Sequence, residues 1–170
     1  MRKGMTKSSY VLAILCLVVL LAPAGQTETK GKPPTITFSY AQEKIRQGEI
    51  WRIYIAVEDP DGDMSKIVCT IEQTGGYGYR PSITQLKKGM ERKFAGHLAL
   101  YSNSHSSFWG MRLQLTLTVL DRAGNESETV VFPLEFNGEP MKPLPSDMAN
   151  DLNQRIGNVT IDLFRREGAS

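Results

Sequence analysis

The chain has 170 residues, with 20 basic and 18 acidic side chains and a formal net charge of +2. Arg2, Lys3 and Lys7 lie at the amino terminus, and without them 17 basic residues face 18 acidic ones, a net charge of −1. Nucleic-acid-binding domains usually carry a clustered basic face. This near-neutral balance argues against that class, so we expect no nucleic-acid partner.

The first 24 residues have the pattern of a secretory signal peptide. Basic residues precede an apolar run over 11–21, and small residues at 22 and 24 define a cleavage point after Ala24. The run is shorter than the ~20 apolar residues that span a bilayer, and Leu15 before Cys16 argues against a lipoprotein. We therefore expect an exported protein, periplasmic or secreted, with no transmembrane anchor after cleavage.

Cysteine use is consistent with a simple exported domain. Cys16 leaves with the signal peptide, so Cys69 cannot form an intramolecular disulfide. Cys69 lies on the same strand face as Ile67 and Ile71, which predicts that it is buried as a small hydrophobic residue. A hydrophobic core must then hold the fold, and about 145 mature residues are enough for one.

Alternation of apolar and polar residues predicts an all-β domain over residues 34–138, after a flexible lead-in over 25–33. The predicted strands cover 35–40, 50–58, 65–73, 83–86, 92–101 and the two arms of a hairpin over 111–136. About seven short strands separated by turns are typical of an immunoglobulin-like antiparallel β-sandwich. A closed barrel remains the alternative, because alternation alone does not show whether one sheet closes or two stack.

Two turns carry a resemblance to a known class of domain. The sequence EDPDGD at 58–63 resembles a loop of bacterial cadherin-like and polycystic-kidney-disease-type domains. The sequence DRAGNES at 121–127 is similar to the closing hairpin of many bacterial immunoglobulin-like domains. The resemblance covers residues 33–138 and implies an exported, non-catalytic domain used for adhesion, spacing or docking. Such domains often occur in tandem, whereas this chain has one copy.

Residues 139–170 form a tail of different composition. Prolines within 140–145 predict a stiff linker. Ser146 is placed to cap a short helix that runs to Ile156 and ends at Gly157, followed by a strand over 159–163. A helix of three turns is marginal alone. The tail is therefore expected to dock, either on its own sandwich or on a partner.

The acidic turn is a candidate metal site. Asp59, Asp61 and Asp63 place three carboxylates within five residues, and calcium prefers such oxygen ligands. In immunoglobulin-like order the closing hairpin lies at the same end, which would bring Asp121 and Asn125 near. Calcium binding is one interpretation. An exposed turn is the other, and the composition favours it because Asp, Pro and Gly are ordinary turn residues.

Three aromatic residues are candidates for ligand binding. Tyr77 and Tyr79 lie in a glycine-rich loop, and Trp109 follows a polar loop. Tyrosine and tryptophan on loops make contact surfaces for proteins or carbohydrates. The alternative is that Phe108 and Trp109 cover the end of the sandwich, which we favour for that pair.

Residues for catalysis are nearly absent. His97 falls on the polar face of its strand and His105 in a serine-rich loop, with no nucleophile, base and orienting group in a recognisable pattern. We expect no catalytic residue and no certain cofactor. The expected function is a non-enzymatic binding or structural module that docks to another envelope or extracellular protein. A carbohydrate-binding module and a small hydrolase are the alternatives.

Overall fold

The computed structural model describes residues 31–75, 77–101, 109–140, 142, 144 and 151–160. Within these ranges, no helix has the length and apolar character needed to cross a membrane. The described residues form ten strands: β1 (Thr35–Ala41), β2 (Lys44–Ile45), β3 (Ile50–Glu58), β4 (Met64–Gln73), β5 (Tyr77–Gly78), β6 (Ser82–Gln85), β7 (Lys93–Tyr101), β8 (Arg112–Asp121), β9 (Val130–Phe136) and β10 (Arg155–Val159).

The strands form two sheets. The four-stranded sheet has the order β1-β3-β7-β10, and the six-stranded sheet has the order β2-β9-β8-β4-β5, with β6 also paired to β4. The inward side chains of both sheets form one apolar core. This arrangement confirms the predicted all-β sandwich. The alternative of a single closed barrel is wrong, because the strands divide between two separate sheets.

Alternating burial explains why these segments become strands. Along β3, Trp51, Ile53, Ile55 and Val57 are fully buried, whereas Arg52 and Ala56 on the other face are partly exposed and Tyr54 on that face is 8% exposed. Each large apolar side chain removed from water stabilises the fold by about 1.5–3 kcal/mol. Cys69 on β4 is 2% exposed, as predicted, and its burial raises the pKa of the thiol to about 12.

The long predicted strands are confirmed. The hairpin predicted over 111–136 is β8 paired with β9, with Leu113 opposite Leu134 and Leu115 opposite Phe132. The strand predicted over 83–86 is β6, one residue earlier. The two-residue strands β2 and β5 were not predicted, because two residues are too few to show a period.

Strand β10 of the tail takes the place of the fourth strand in the four-stranded sheet. In constant-type immunoglobulin domains, one sheet contains strands A, B, E and D. Here β1, β3 and β7 take the places of A, B and E, and β10 lies beside β7 in the fourth place. The pairing of β10 with β7 is parallel. In this structure the tail therefore docks on its own sandwich.

The predicted path of the tail is wrong at Gly157. Residues 145–150 lie outside the described ranges, and Asp151 and Leu152 are helical, but the backbone is extended from Arg155 to Val159. Gly157 is therefore inside a strand and does not end a helix. Apolar residues spaced by four favour a helix locally, but pairing with β7 and burial of Ile156 in the core outweigh this preference. Residues 161–163 of the predicted last strand lie outside the described ranges.

Candidate functional site

The two acidic turns lie at the same end of the sandwich. Met64 at the start of β4 pairs with Asp121 at the end of β8, and the backbone N–H of Arg122 donates to the carbonyl oxygen of Asp63 at 3.0 Å. The predicted approach of the closing hairpin to the acidic loop is confirmed. We call this region, defined by Asp59, Asp61, Asp63 and Asp121, the acidic end.

Asp59 holds the first turn together. Its carboxylate accepts hydrogen bonds from the backbone N–H groups of Asp61 at 2.9 Å and Asp63 at 3.2 Å. The side chain is 1% exposed. Gly62 takes a positive φ of 73° between them, a conformation that glycine adopts without steric cost. Both oxygens of the Asp59 carboxylate thus accept hydrogen bonds from the backbone of its own loop.

Asp121 does the same for the closing hairpin. Its carboxylate accepts from the backbone N–H of Asn125 at 2.8 Å and from the Asn125 side-chain Nδ2 at 2.6 Å. Asp121 is 3% exposed. Charge-assisted hydrogen bonds of this kind are among the strongest that a protein makes. Both oxygens of the Asp121 carboxylate therefore also accept hydrogen bonds within its own loop.

Asp63 differs from its neighbours. Its Oδ1 atom is buried without a hydrogen-bond partner among the described residues. Desolvation, then the negative charge of Asp121 and the contact with Asp59, raise the pKa of the Asp63 carboxyl. Asp61 is exposed and accepts from the backbone N–H of Lys32. Across the described ranges, no three His, Cys, Asp or Glu side chains are arranged to hold a metal ion.

Trp109 lies at the opposite end and is 70% exposed. The interpretation in which Trp109 covers the sandwich is therefore wrong for this residue, and Phe108 lies outside the described ranges. Met111 packs against the core beside the fully buried Phe136, and the backbone N–H of Gly110 donates to the Phe136 carbonyl. Because these residues already cover the core, the indole is left in solvent.

Two grooves meet beside the indole. One of about 420 Å³ is lined by Trp109, Gln73, Thr74 and Arg112, among others. The second, of about 270 Å³, shares Thr74 and Arg112 and continues past Lys44 and Glu135. Arg112 and Glu135 form an exposed ion pair at 3.0 Å. We call the indole and these two grooves the Trp109 surface.

Tyr79 differs from Trp109 in its exposure to solvent. Tyr79 is partly buried against the core, and its hydroxyl donates to the Oε1 atom of Gln73 at 2.7 Å. Because Gln73 lines the larger groove, Tyr79 supports the groove wall. The side chain of Tyr77 lies outside the described part of the structure. Of the three aromatic candidates, Trp109 is the one that the structure places in solvent.

His97 is buried, which the sequence did not predict. It is 8% exposed, its Nδ1 lies 3.1 Å from the carbonyl oxygen of Leu152, and its ring centroid is 5.5 Å from that of Tyr54. Burial lowers the pKa of the imidazole, the hydrogen bond to Leu152 raises it, and Arg52 and Arg155 lower it. The prediction of a solvent-facing histidine is wrong because the tail covers it. We call strand β10 together with the His97 side chain that the tail covers the tail seam.

Cys69 and His97 are not arranged as a nucleophile and its base. Cys69 points into the core from the six-stranded sheet, and the raised pKa keeps its thiol protonated. His97 belongs to the four-stranded sheet, where it alternates with the inward-facing Leu98. A side chain on the outer face of one sheet cannot contact the core thiol of the other. His105 lies outside the described ranges.

The fold and these surfaces define an immunoglobulin-like β-sandwich module with one acidic end and one aromatic end. No protein-family model matches the chain, and no curated protein matches it.

Several solved structures are similar to the chain. The PKD domain of an M14-like peptidase from a Thermoplasmatales archaeon is 14% identical, with 63% of this chain and 98% of that one covered and a TM-score of 0.39. The CARDB domain of a Pyrococcus furiosus protein, solved with di-metal ions, is 11% identical, with 61% and 85% covered and a TM-score of 0.32.

An alkylpurine DNA glycosylase from Pseudomonas fluorescens, solved with DNA, is 16% identical, with 78% of this chain and 40% of the enzyme covered and a TM-score of 0.39. These similarities concern the fold alone. The PKD domain is of the class that the turn at 58–63 resembles in sequence.

Proposed function

We propose that this chain is an exported, non-catalytic immunoglobulin-like module that docks to another protein of the cell envelope or extracellular space through the Trp109 surface. The observation that carries the proposal is the 70% exposure of the Trp109 indole, next to the end of the core where Met111 and Phe136 pack. Covering such a ring would contribute roughly 2–4 kcal/mol.

The surroundings of the indole favour a protein as the ligand. Protein interfaces combine an aromatic anchor with a polar rim, and tryptophan is enriched among the residues that dominate binding energy. Lys44, Arg112 and Glu135 supply charges of both signs along the grooves. A protein partner with complementary charges would form ion pairs with them, whereas a neutral glycan would form hydrogen bonds alone. Carbohydrate binding is therefore an outcome that the experiment must distinguish.

Site-specific photocrosslinking tests the docking proposal. A photoreactive phenylalanine replaces Thr74, an exposed residue that lines both grooves, in one variant and Ile83, which is 56% exposed on β6, in the control variant. We expect one discrete protein adduct in the native envelope from position 74 and none from position 83. Trp109→Ala should abolish co-purification of the same partner. Equal adducts at both positions, or an adduct removed by glycosidase and unaffected by protease, would contradict the proposal.

Export has its own test. Amino-terminal sequencing of the protein recovered from outside the inner membrane should begin at Gly25. Recovery of the intact leader on a cytoplasmic protein would contradict export and, with it, docking to a protein of the envelope or extracellular space.

A second candidate function is calcium binding at the acidic end. The partnerless Oδ1 of Asp63 favours it, because a bound cation would offset both the desolvation and the negative charge of Asp121 that raise the pKa of that carboxyl. Asp59 and Asp121 already accept backbone hydrogen bonds, so Asp63 and the exposed Asp61 are the carboxylates best able to contribute to a site.

Thermal unfolding with chelator and with calcium tests this candidate. A ligand present at ten times its dissociation constant adds about 1.4 kcal/mol to the free energy of unfolding. We expect calcium to raise the midpoint of the natural chain and to leave that of Asp63→Asn unchanged. Superimposable curves for the natural chain would exclude calcium binding.

A further inference from the structure

The outer face of the four-stranded sheet carries three tyrosine side chains. Tyr54 of β3 lies opposite Tyr40 of β1, and their rings stack with centroids 6.3 Å apart. Tyr101 follows the inward-facing Leu100 on β7, so it belongs to the same outer face. Tyr40 is 42% exposed and Tyr101 is 50% exposed. Aromatic surface is therefore accessible to a ligand on both β1 and β7.

Two arginine side chains lie among these tyrosines. Arg52 alternates with inward-facing residues on β3, which places it on the outer face. The guanidinium carbon of Arg155 on β10 is 5.3 Å from the centroid of the Tyr101 ring, and its Nε donates to the Oδ1 atom of Asn158 at 2.9 Å. These contacts restrain the Arg155 side chain, so less conformational entropy is lost when it binds. We call the following five residues the Arg–Tyr face: Tyr40, Arg52, Tyr54, Tyr101 and Arg155.

The Arg–Tyr face is locally positive, although the chain as a whole is nearly neutral. Glu58 is the one acidic residue of β1, β3, β7 and β10, and it pairs with Lys93 at 2.6 Å beside the acidic end. Among the described residues, no carboxylate lies within 4 Å of the guanidinium groups of Arg52 and Arg155. Burial lowers the pKa of His97, a backbone hydrogen bond raises it, and the charges of Arg52 and Arg155 lower it further. Both guanidinium groups therefore lie near the same ring.

We propose that the Arg–Tyr face binds a carboxylate-rich segment of a partner protein. Tyrosine and arginine are enriched among the residues that dominate binding at protein interfaces, whereas lysine, glutamate and aspartate are depleted in interface cores. The face has this composition, and its positive charge selects an acidic partner. The planar guanidinium donates two parallel hydrogen bonds to one carboxylate. Because Arg155 belongs to the tail, docking of β10 completes the face.

This face is separate from the Trp109 surface. The two grooves of the Trp109 surface are lined by residues of the six-stranded sheet and its loops, and none of them belongs to the Arg–Tyr face. The two docking proposals therefore stand or fall independently.

NMR titration of the isotopically labelled mature chain with a short polyglutamate peptide tests this proposal. At low salt, we expect the amide shifts to change along β3, β7 and β10, around the Arg–Tyr face. The double variant Arg52→Gln/Arg155→Gln should bind the peptide about tenfold more weakly, because two exposed ion pairs are lost. The control variant Lys87→Gln/Lys88→Gln removes the same charge from an exposed turn and should keep the affinity of the natural chain. Thermal unfolding midpoints that match the natural chain show that the variants fold.

Two further measurements identify the kind of ligand. Arg155→Lys keeps the positive charge but loses the planar pair of donors, so it should bind polyglutamate several-fold more weakly than the natural chain. Polygalacturonate, a chain of acidic sugars, should bind more weakly than polyglutamate at the same concentration of carboxylate. Shift changes that cluster away from the Arg–Tyr face, equal affinities of the two double variants, or tighter binding of polygalacturonate would each overturn the proposal.

Discussion

The acidic end and the tail seam both bury polar groups, but they obtain hydrogen-bond partners in different ways. At the acidic end, Asp59 and Asp121 bond groups no more than four residues away. At the tail seam, His97 bonds the carbonyl of Leu152, which is 55 residues away. The hydrogen bonds at the acidic end form within the loops themselves, whereas the hydrogen bond between His97 and Leu152 exists only when the tail has docked. Stability at the two regions should therefore respond to different changes.

The largest effect should come from detaching the tail. Gly96→Val would place a side chain where the Gln154 carbonyl and the Ile156 side chain lie, so β10 could not keep its position. Loss of two buried apolar side chains corresponds to about 3–5 kcal/mol of unfolding free energy. Denaturant unfolding measures this loss, and hydrogen exchange should show residues 155–160 unprotected.

Gly78→Val is the matched control. Nothing lies within 4 Å of a Cβ atom at Gly78. We expect its unfolding free energy to stay within about 0.5 kcal/mol of the natural chain, as for most surface substitutions. Equal destabilisation by the two variants would mean that valine itself, and not the lost tail, is the cause.

Asp121→Ala should have the next largest effect. It removes two charge-assisted hydrogen bonds and leaves the buried backbone N–H of Asn125 without the carboxylate oxygen that it bonds. The expected cost is about 2–3 kcal/mol. Asp61→Ala, an exposed carboxylate of the same cluster, should cost much less. The tail should stay protected from hydrogen exchange in both variants, and its exposure in Asp121→Ala would show that the two regions are coupled.

Acidification should weaken the tail seam specifically. The pKa of His97 is lowered from 6.5 chiefly by burial, so the neutral ring is favoured when the tail is docked. This contribution to stability is present above pH 6.5 and is lost as the pH falls through the lower native value. His97→Asn retains a side-chain donor near the position of Nδ1 but does not titrate. The hydrogen-exchange protection factors of residues 155–160, which are corrected for the slower intrinsic exchange in acid, should fall on acidification more for the natural chain than for His97→Asn.

Asp63→Asn should have the smallest effect and the opposite sign. The raised pKa of Asp63 shows that its negative charge is disfavoured beside Asp121 and Asp59. Removing that charge in chelator should raise the unfolding free energy at pH 7 by less than about 1 kcal/mol. The advantage should shrink as the pH falls through the raised pKa, because the natural carboxyl then becomes neutral as well. A clear loss of stability at pH 7 would contradict this account of the acidic end.

Much of the sandwich could be predicted from local patterns. Strands β3, β8 and β9 were predicted within one or two residues, because every second side chain of each is a large apolar residue that the core buries. The approach of Asp121 to the acidic loop followed from the immunoglobulin-like order of the strands. The tail was predicted less well, since a short apolar segment with a glycine is compatible with a helix end and with a strand.

The sequence alone determined the all-β class and the buried state of Cys69, because each depends on an alternation between residues close together in the chain. The tertiary structure decided which partners meet across the chain. It placed β10 beside β7, buried His97 under Leu152, and left Trp109 in solvent because Met111 and Phe136 cover the core. These outcomes depend on packing between segments that are distant in the chain, and the local alternation of apolar and polar residues does not indicate such packing.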